Sequence, residues 1–274
     1  MSMQFSKMHG LGNDFVVIDG TEVAVILNDK QVRQLCDRHV GIGCDQLLIV
    51  ESCPNANAFI RIFNADGSIA EQCGNGLRCV ARWLAQQSMT GSKAVRLATT
   101  AGTYEAKLVG GDQVRINMGV PAFEPAEIPF EANARAESYA LKINDLSFEI
   151  GAVSMGNPHA IFHVENIKKT AVGEIGPQVE KHSRFPERAN VAFMQKISAV
   201  EVRLRVWERG AGETQACGSS ACAAVAWGHL RGQLDENVRV RLPGGCLEIN
   251  WQGEGAPVYL TGPATFVYRG EIET

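Results

Sequence analysis

The feature that most constrains this chain is that it repeats itself. Cys73 and Cys217 lie 144 positions apart (217 − 73), and the same shift aligns much of the rest. It lays Gly12-Asn13 on Gly156-Asn157, Gln46 on Asn190, Ile60–Asn64 on Leu204–Glu208, and Trp83 on Trp227. At a shift of 143 (245 − 102), Gly102–Glu105 meets Gly245–Glu248. A nearly constant offset over so many segments marks a duplicated unit, here about residues 1–118 and about 147–262. Between the copies runs a connection broken by Pro121, Pro125 and Pro129.

Each copy carries a cysteine at the predicted start of an apolar helix. Gln72-Cys73-Gly74-Asn75-Gly76 opens a run containing Leu77, Val80, Ala81, Trp83 and Leu84. Ala216-Cys217-Gly218-Ser219-Ser220 opens Ala221 to Trp227, apolar throughout. A helix apolar nearly all round is buried. The remaining predicted elements of the first copy are short strands with Gly-containing turns: Phe15–Ile18, Leu47–Val50, Phe59–Phe63, Val95–Thr99, Thr103–Val109 and Val114–Met118. One further helix is predicted from Asn28 or Asp29 to about His39. The expected fold is therefore α/β in the α+β sense. Two pseudo-symmetric domains each roll a barrel-like mixed sheet around a buried central helix, with the two helix N-termini, and an active site, at the cleft between them.

Composition excludes several classes of function. A net charge of −4 and no basic run argue against a nucleic-acid partner. No stretch of about 18 apolar residues could span a bilayer, and the first residues lack the apolar core of a signal peptide, so no membrane association and a cytoplasmic location are expected. The eight cysteines are then read as thiols, because a reducing compartment disfavours disulfides. No Cys-x-x-Cys spacing occurs, and no metal is expected. Cys36, Cys44, Cys53, Cys79, Cys222 and Cys246 are read as small buried or half-buried apolar groups.

A helix N-terminus favours negative charge, either a thiolate or a bound carboxylate. Two thiols facing across a cleft suit moving a proton from one face of a carbon to the other. One must be a thiolate to abstract the proton, and the other a thiol to deliver it. They would titrate as a coupled pair. The N–H groups at Gly74, Asn75, Gly218 and Ser219 could hold an α-carboxylate and the enolate-like charge beside it. Short polar residues recur at strand ends: Asn13, Gln46, Asn64, Asn157, Asn190, Glu208 and Arg209. Amides, an acid and a guanidinium suit a small zwitterion with more than one ammonium and carboxylate. No phosphate loop or dinucleotide fingerprint is present.

At these residues the chain resembles the diaminopimelate epimerase family over nearly its whole length. The motifs that carry the resemblance are Lys7–Phe15, Phe63–Ser68, Gln72–Gly76, Ser154–His159 and the run Glu208–Ser219. The resemblance implies a cofactor-independent isomerase that interconverts LL- and meso-diaminopimelate in lysine and peptidoglycan synthesis. It implies Cys73 and Cys217 as acid and base, with His159 and Glu208 assisting the thiols. Asn13, Gln46, Asn64, Gly74, Asn75, Asn157, Asn190, Glu208, Arg209, Gly218 and Ser219 would bind substrate. It further implies a C-terminal segment returning to the first half, hence domains 1–118 plus 263–274 and 119–262, and a homodimer with Tyr268 at the contact. Ser220 departs from the family pattern, in which Gly is common at that position. Alternatives are another cofactor-free racemase of this fold, similar to proline racemase, and a non-catalytic amino-acid-binding protein with structural thiols. A thiol redox protein, with Cys73 and Cys217 as its pair, is a third reading.

Overall fold

The structure is a computed structural model that describes residues 2–71, 73–87 and 94–273; Gln72 of the first cysteine motif lies outside the described residues. Contacts divide the chain into two compact units, Met1–Ile116 with Gly262–Thr274, and Asn117–Thr261.

The first unit contains β1 (Ser2–Gly10), β2 (Asn13–Gly20), α1 (Asp29–Cys36), β3 (Gln46–Glu51), β4 (Ala58–Asn64), β5 (Ile69–Ala70), α2 (Gly74–Gln86), β6 (Ala94–Thr99), β7 (Gly102–Gly110) and β8 (Gln113–Asn117). Strands pair in the order β1–β2–β3–β4–β6–β7–β8, with β5 also on β4. The β2–β3 and β4–β6 pairs are parallel and the others antiparallel. Parallel neighbours need a crossover; α1 lies in the first and α2 in the second. Helix α2 touches β1 and β2 near one end of this order and β6 and β7 near the other, so the sheet curves around it. Residues 75–81, 83 and 84 of α2 are buried.

The second unit repeats this plan with β9 (Tyr139–Ile143), β10 (Leu146–Ser154), β11 (Pro158–His163), α3 (Val172–Glu180), β12 (Asn190–Ser198), β13 (Glu201–Glu208), β14 (Gly212–Thr214), α4 (Gly218–Leu230), β15 (Asn237–Leu242), β16 (Gly245–Asn250) and β17 (Tyr259–Pro263). The β11–β12 and β13–β15 pairs are parallel, in the places of β2–β3 and β4–β6. Registers repeat too. Phe15 faces Gln46 and His159 faces Asn190; Leu47 faces Phe63 and Val191 faces Trp207. Helix α4 touches β10, β11, β12 and β16, and every residue from Ser220 to Gly228 is buried. The last strand, β18 (Thr265–Glu273), pairs antiparallel with β1 as β9 pairs with β10. It is tied to α2 as well. Arg78, fully buried, donates from Nε to the Pro263 carbonyl at 3.2 Å, and Arg82 donates to the carbonyl of Ala264.

The expected fold class is thus found, with three corrections of detail. Helix α1 ends at Cys36 rather than near His39, because Asp37 turns extended and its carboxylate accepts from the N–H groups of His39 and Val40. Helix α3 was not expected from its composition, and β9 interrupts what reads as an irregular connection. Cys246 is exposed rather than buried, because it points outward on β16, whose neighbours Leu247 and Ile249 face the core. Among the described residues there is no disulfide, no group of three or more His, Cys, Asp or Glu side chains placed for a metal, and no helix long and apolar enough to cross a membrane.

Candidate functional site

In the first unit the site begins at the turn between β1 and β2. Leu11 and Gly12 both have positive φ (58° and 84°), the type I′ geometry of a two-residue hairpin. That turn sets Asn13 opposite Gly10 at the start of β2. The Asn13 amide is oriented by its neighbours. Its Nδ2 donates to Asp45 Oδ2 at 3.0 Å, which leaves Oδ1 to accept from Asn75 Nδ2 at 3.1 Å and to face Cys73 Sγ at 3.9 Å.

Asp45 belongs to a charged cluster. Arg38 bridges Asp14 and Asp45 at 2.7 Å each, and Lys7 pairs with Asp14 at 2.6 Å. Burial alone would raise the Asp14 carboxyl, but hydrogen bonds from Arg38 and Lys7, with the Lys7 charge, bring it down to about 2. Beside this cluster Gln46 faces Asn64 across the β3–β4 pair, and Gln46 Nε2 donates to Asn64 Oδ1 at 2.9 Å. The Asn64 Nδ2 in turn donates to the Ser68 hydroxyl at 3.0 Å.

Cys73 is the N-cap of α2, with extended backbone, and its sulfur accepts from the Gly76 N–H at 3.4 Å. This is one of the unpaired donors at a helix start, and it favours charge on sulfur. Position 76 needs a small residue. A Cβ there would come within 3.2 Å of Leu48 and 3.4 Å of the Phe15 ring.

In the second unit Cys217 is likewise the N-cap of α4, and its sulfur lies 3.5 Å from the Ser219 hydroxyl. Burial, then the nearby Glu208 charge, pushes this thiol well above its ordinary value; hydrogen bonds from Ser219 and Ser220 oppose the shift without reversing it. Cys217 is therefore a thiol at neutral pH.

Position 220 explains its own departure. Ser220 and His159 are both fully buried, with Ser220 Oγ 3.1 Å from His159 Nδ1 and Asn157 Oδ1 2.9 Å from His159 Nε2. An amide oxygen only accepts, so Nε2 carries the proton and the Ser220 hydroxyl donates to Nδ1. Burial first, then the Arg209 charge, lowers the His159 pKa to about 3, so the ring is neutral. The repeat shift maps Phe15 onto His159 and Gly76 onto Ser220, so an apolar contact in one copy becomes a hydrogen-bonded pair in the other.

The loop after β13 is also held in place. Asn190 is buried, donates to the Pro158 carbonyl at 3.4 Å and accepts from the Arg209 N–H at 3.0 Å. The hydroxyl of Thr214 donates to Glu208. Arg209 is exposed, with its guanidinium 3.0 Å from the Glu187 carbonyl. Sequence reasoning missed Glu180. This buried acid on α3 accepts from Trp207 Nε1 at 2.8 Å and from the Gly210 N–H at 3.1 Å, fixing the turn that follows Glu208. It also missed Asp45, although the sequence places that acid directly before Gln46.

The expected residues therefore fall into two groups, one in each unit. Asn13, Asn75 and Cys73 meet, as do Gln46 and Asn64, in the first; Asn157 and His159, Asn190 and Arg209, and Cys217 and Ser219 meet in the second. Tyr268 stands apart on β18, half-exposed, with its ring edge-on to Phe5 at 5.9 Å.

Among solved structures, a phenazine biosynthesis protein of the PhzF family from Bacillus anthracis is 17% identical with a TM-score of 0.72, matching 100% of both chains. A hydroxyproline epimerase from Agrobacterium vitis, with bound trans-4-hydroxy-L-proline, is 18% identical with a TM-score of 0.73, matching 99% of this chain and 92% of that one. A probable proline racemase from Agrobacterium radiobacter is 16% identical with a TM-score of 0.72, over 99% and 93%. At such identities these likenesses establish the fold. The family model described as diaminopimelate epimerase matches residues 5–124 and 151–267, taking in both copies of the repeat and both cysteine helices. That places the protein among enzymes of the epimerase and isomerase type. By this match, the chain belongs to the diaminopimelate epimerase family.

Proposed function

We propose that the protein is a cofactor-independent epimerase that interconverts LL- and meso-2,6-diaminopimelate, in the synthesis of lysine and of peptidoglycan precursors. The observation that carries this reading is the equivalence of two N-cap cysteines, Cys73 and Cys217, in two copies of one unit that also align their amides. In the proposed reaction one sulfur, as thiolate, removes the α-proton, and the other, as thiol, delivers a proton to the opposite face. The pair returns to its starting state when the reaction runs backwards. In the direction in which Cys217, held protonated by burial and by Glu208, is the acid, Cys73, whose sulfur accepts from the Gly76 N–H, is the base.

The helix N-termini beginning at Gly74 and Gly218 would take the α-carboxylate and the charge that develops beside it. Asn13, Gln46, Asn64, Asn157, Asn190, Glu208 and Arg209 would then fix the substrate's ammonium and carboxylate groups. His159 supports the second half by holding Asn157 and Ser220. Its neutral ring keeps a second positive charge away from the ammonium groups. We further assign the protein to the cytoplasm, where this chemistry is needed, and assign Tyr268 to a homodimer contact.

The reading is tested by offering LL-diaminopimelate, L-proline and trans-4-hydroxy-L-proline side by side, without pyridoxal phosphate and with thiols kept reduced. Conversion of diaminopimelate to the meso isomer, at least 100-fold faster than either cyclic substrate in kcat/KM, is the expected result; a preference for a cyclic substrate would overturn it in favour of a proline racemase-like activity. Absence of turnover on all three would return the protein to the amino-acid-binding reading.

A further inference from the structure

A second pair of thiols lies in contact outside the proposed catalytic machinery. Cys36 closes α1 and Cys44 precedes β3, and their sulfurs are 3.4 Å apart. The Cys44 N–H also donates to the Cys36 carbonyl at 3.1 Å. A disulfide can form only where the two Cα atoms lie within about 7 Å, and a main-chain hydrogen bond between the two residues keeps their backbones close. Both residues are buried in one apolar cluster with Val32, Leu35 and Leu47. The turn that joins them, from Asp37 to Val40, is exposed. We propose that Cys36 and Cys44 are an oxidative modification site that closes to a reversible disulfide, and that its state is felt at Asn13 through Asp45.

The two sulfurs are chemically unequal. The hydrogen bond from Cys44 holds the Cys36 thiol below its ordinary value; burial and Asp14 oppose this, and the Lys7 and Arg38 charges add to it. The same contact, together with burial, pushes Cys44 up. Cys36 is thus the member that ionises more readily, while Cys44 keeps its proton. Lys7 is well placed for this, since its ammonium also donates to the Gly43 carbonyl beside Cys44 and pairs with Asp14 at 2.6 Å.

Hydrogen peroxide is the simplest oxidant, admitted by opening of the exposed 37–40 turn. The Cys36 thiolate attacks one peroxide oxygen, the O–O bond breaks, and hydroxide leaves, taking up the proton that Cys36 released on ionising. The Cys44 sulfur then attacks Cys36, the S–O bond breaks, and hydroxide departs as water with the Cys44 proton. Two thiols and one peroxide become one disulfide and two waters. A dithiol reductant reverses the change.

Closing the pair from 3.4 Å to a bond of about 2.05 Å draws Cys44 inward. Asp45 is the next residue, and its carboxylate is what orients the Asn13 amide toward Cys73. A displacement of about 1 Å in a positioning group can cost on the order of 100-fold in rate.

The test treats wild type and C36A/C44A with peroxide, alkylates remaining thiols, and maps the peptides. Cleavage after Arg33, Arg38 and Glu51 separates Cys36, Cys44 and Cys53, so a Cys36–Cys44 link has its own mass. We expect that linked peptide in the wild type, abolished by dithiothreitol. Absence of the link while exposed Cys246 is oxidised would overturn the proposal, and this readout needs neither a variant nor any activity. The coupling to Asn13 rests on the epimerase reading and is read separately. Loss of turnover should run ahead of that in C36A/C44A by at least 5-fold and recover with reductant. Equal losses in both proteins, with the link present, would overturn the coupling alone.

Discussion

At the scale of single residues, His159 and Ser220 are the most informative pair. Where the first copy sets Phe15 beside Gly76, the second sets a buried imidazole beside a buried hydroxyl, the two bonded to each other and the imidazole also to Asn157. Ser220→Ala leaves Nδ1 without its donor in a site closed to water, and should cost about 1–3 kcal/mol in denaturant unfolding. His159→Phe should destabilise as well, because the hydroxyl then loses its imidazole partner. The double change H159F/S220G rebuilds the apolar contact of the first copy and should recover part of that loss. Strict additivity of the two single effects would contradict the pairing.

The same histidine gives stability a pH dependence. Its folded pKa of about 3 lies below the ordinary 6.5, so the unfolded chain binds more protons between those values. Stability therefore falls as pH drops from 6.5 toward 3, by on the order of 4 kcal/mol, and this slope should vanish in H159F/S220G. Asp14 acts in a lower window. With a pKa of about 2 against an ordinary 3.8, its contribution is full above pH 4 and is lost as pH falls through 2. Arg38→Ala should flatten that second, smaller acid slope.

At the scale of elements, the repeat offset was the most legible signal, and strand register shows why. Phe15–Gln46 and His159–Asn190 are matched pairs on parallel strands, so the two copies share one register as well as one strand order. Both cysteine helices were also readable, since an almost wholly apolar segment can only be buried. Helix α3 was not legible by composition. It has no side-chain cap, holds Pro177, and contains Gly176, where a Cβ would sit 2.6 Å from the Trp207 ring. The repeat would have found it, because the 144-residue shift of Asp29–Cys36 falls on 173–180, within α3. The acids that hold the site, Asp45 and Glu180, were hidden for another reason. Their partners are side chains and loop N–H groups brought near only by folding. Strand β18 completes the first unit by pairing with β1 while Arg78 and Arg82 reach the carbonyls just before it. Ending the chain after Gly262 should therefore remove cooperative melting of the first unit by circular dichroism, with strand signal from the second retained.

At the scale of the whole molecule, a duplicated unit provides two thiols of the same placement but different surroundings. The Cys73 sulfur accepts from a helix N–H and donates to the Asn13 amide oxygen, whereas burial first, and then the Glu208 charge, keeps the proton on Cys217. The most direct measurement follows the α-hydrogens of LL-diaminopimelate in D₂O, without pyridoxal phosphate, for the wild type, Cys73→Ala and Cys217→Ala. The wild type should form meso-diaminopimelate carrying solvent deuterium at the inverted carbon, and each alanine variant should lose epimerisation by at least 1000-fold while melting normally. Full epimerisation in either alanine variant, or inversion in the wild type without uptake of deuterium, would contradict the two-thiol mechanism.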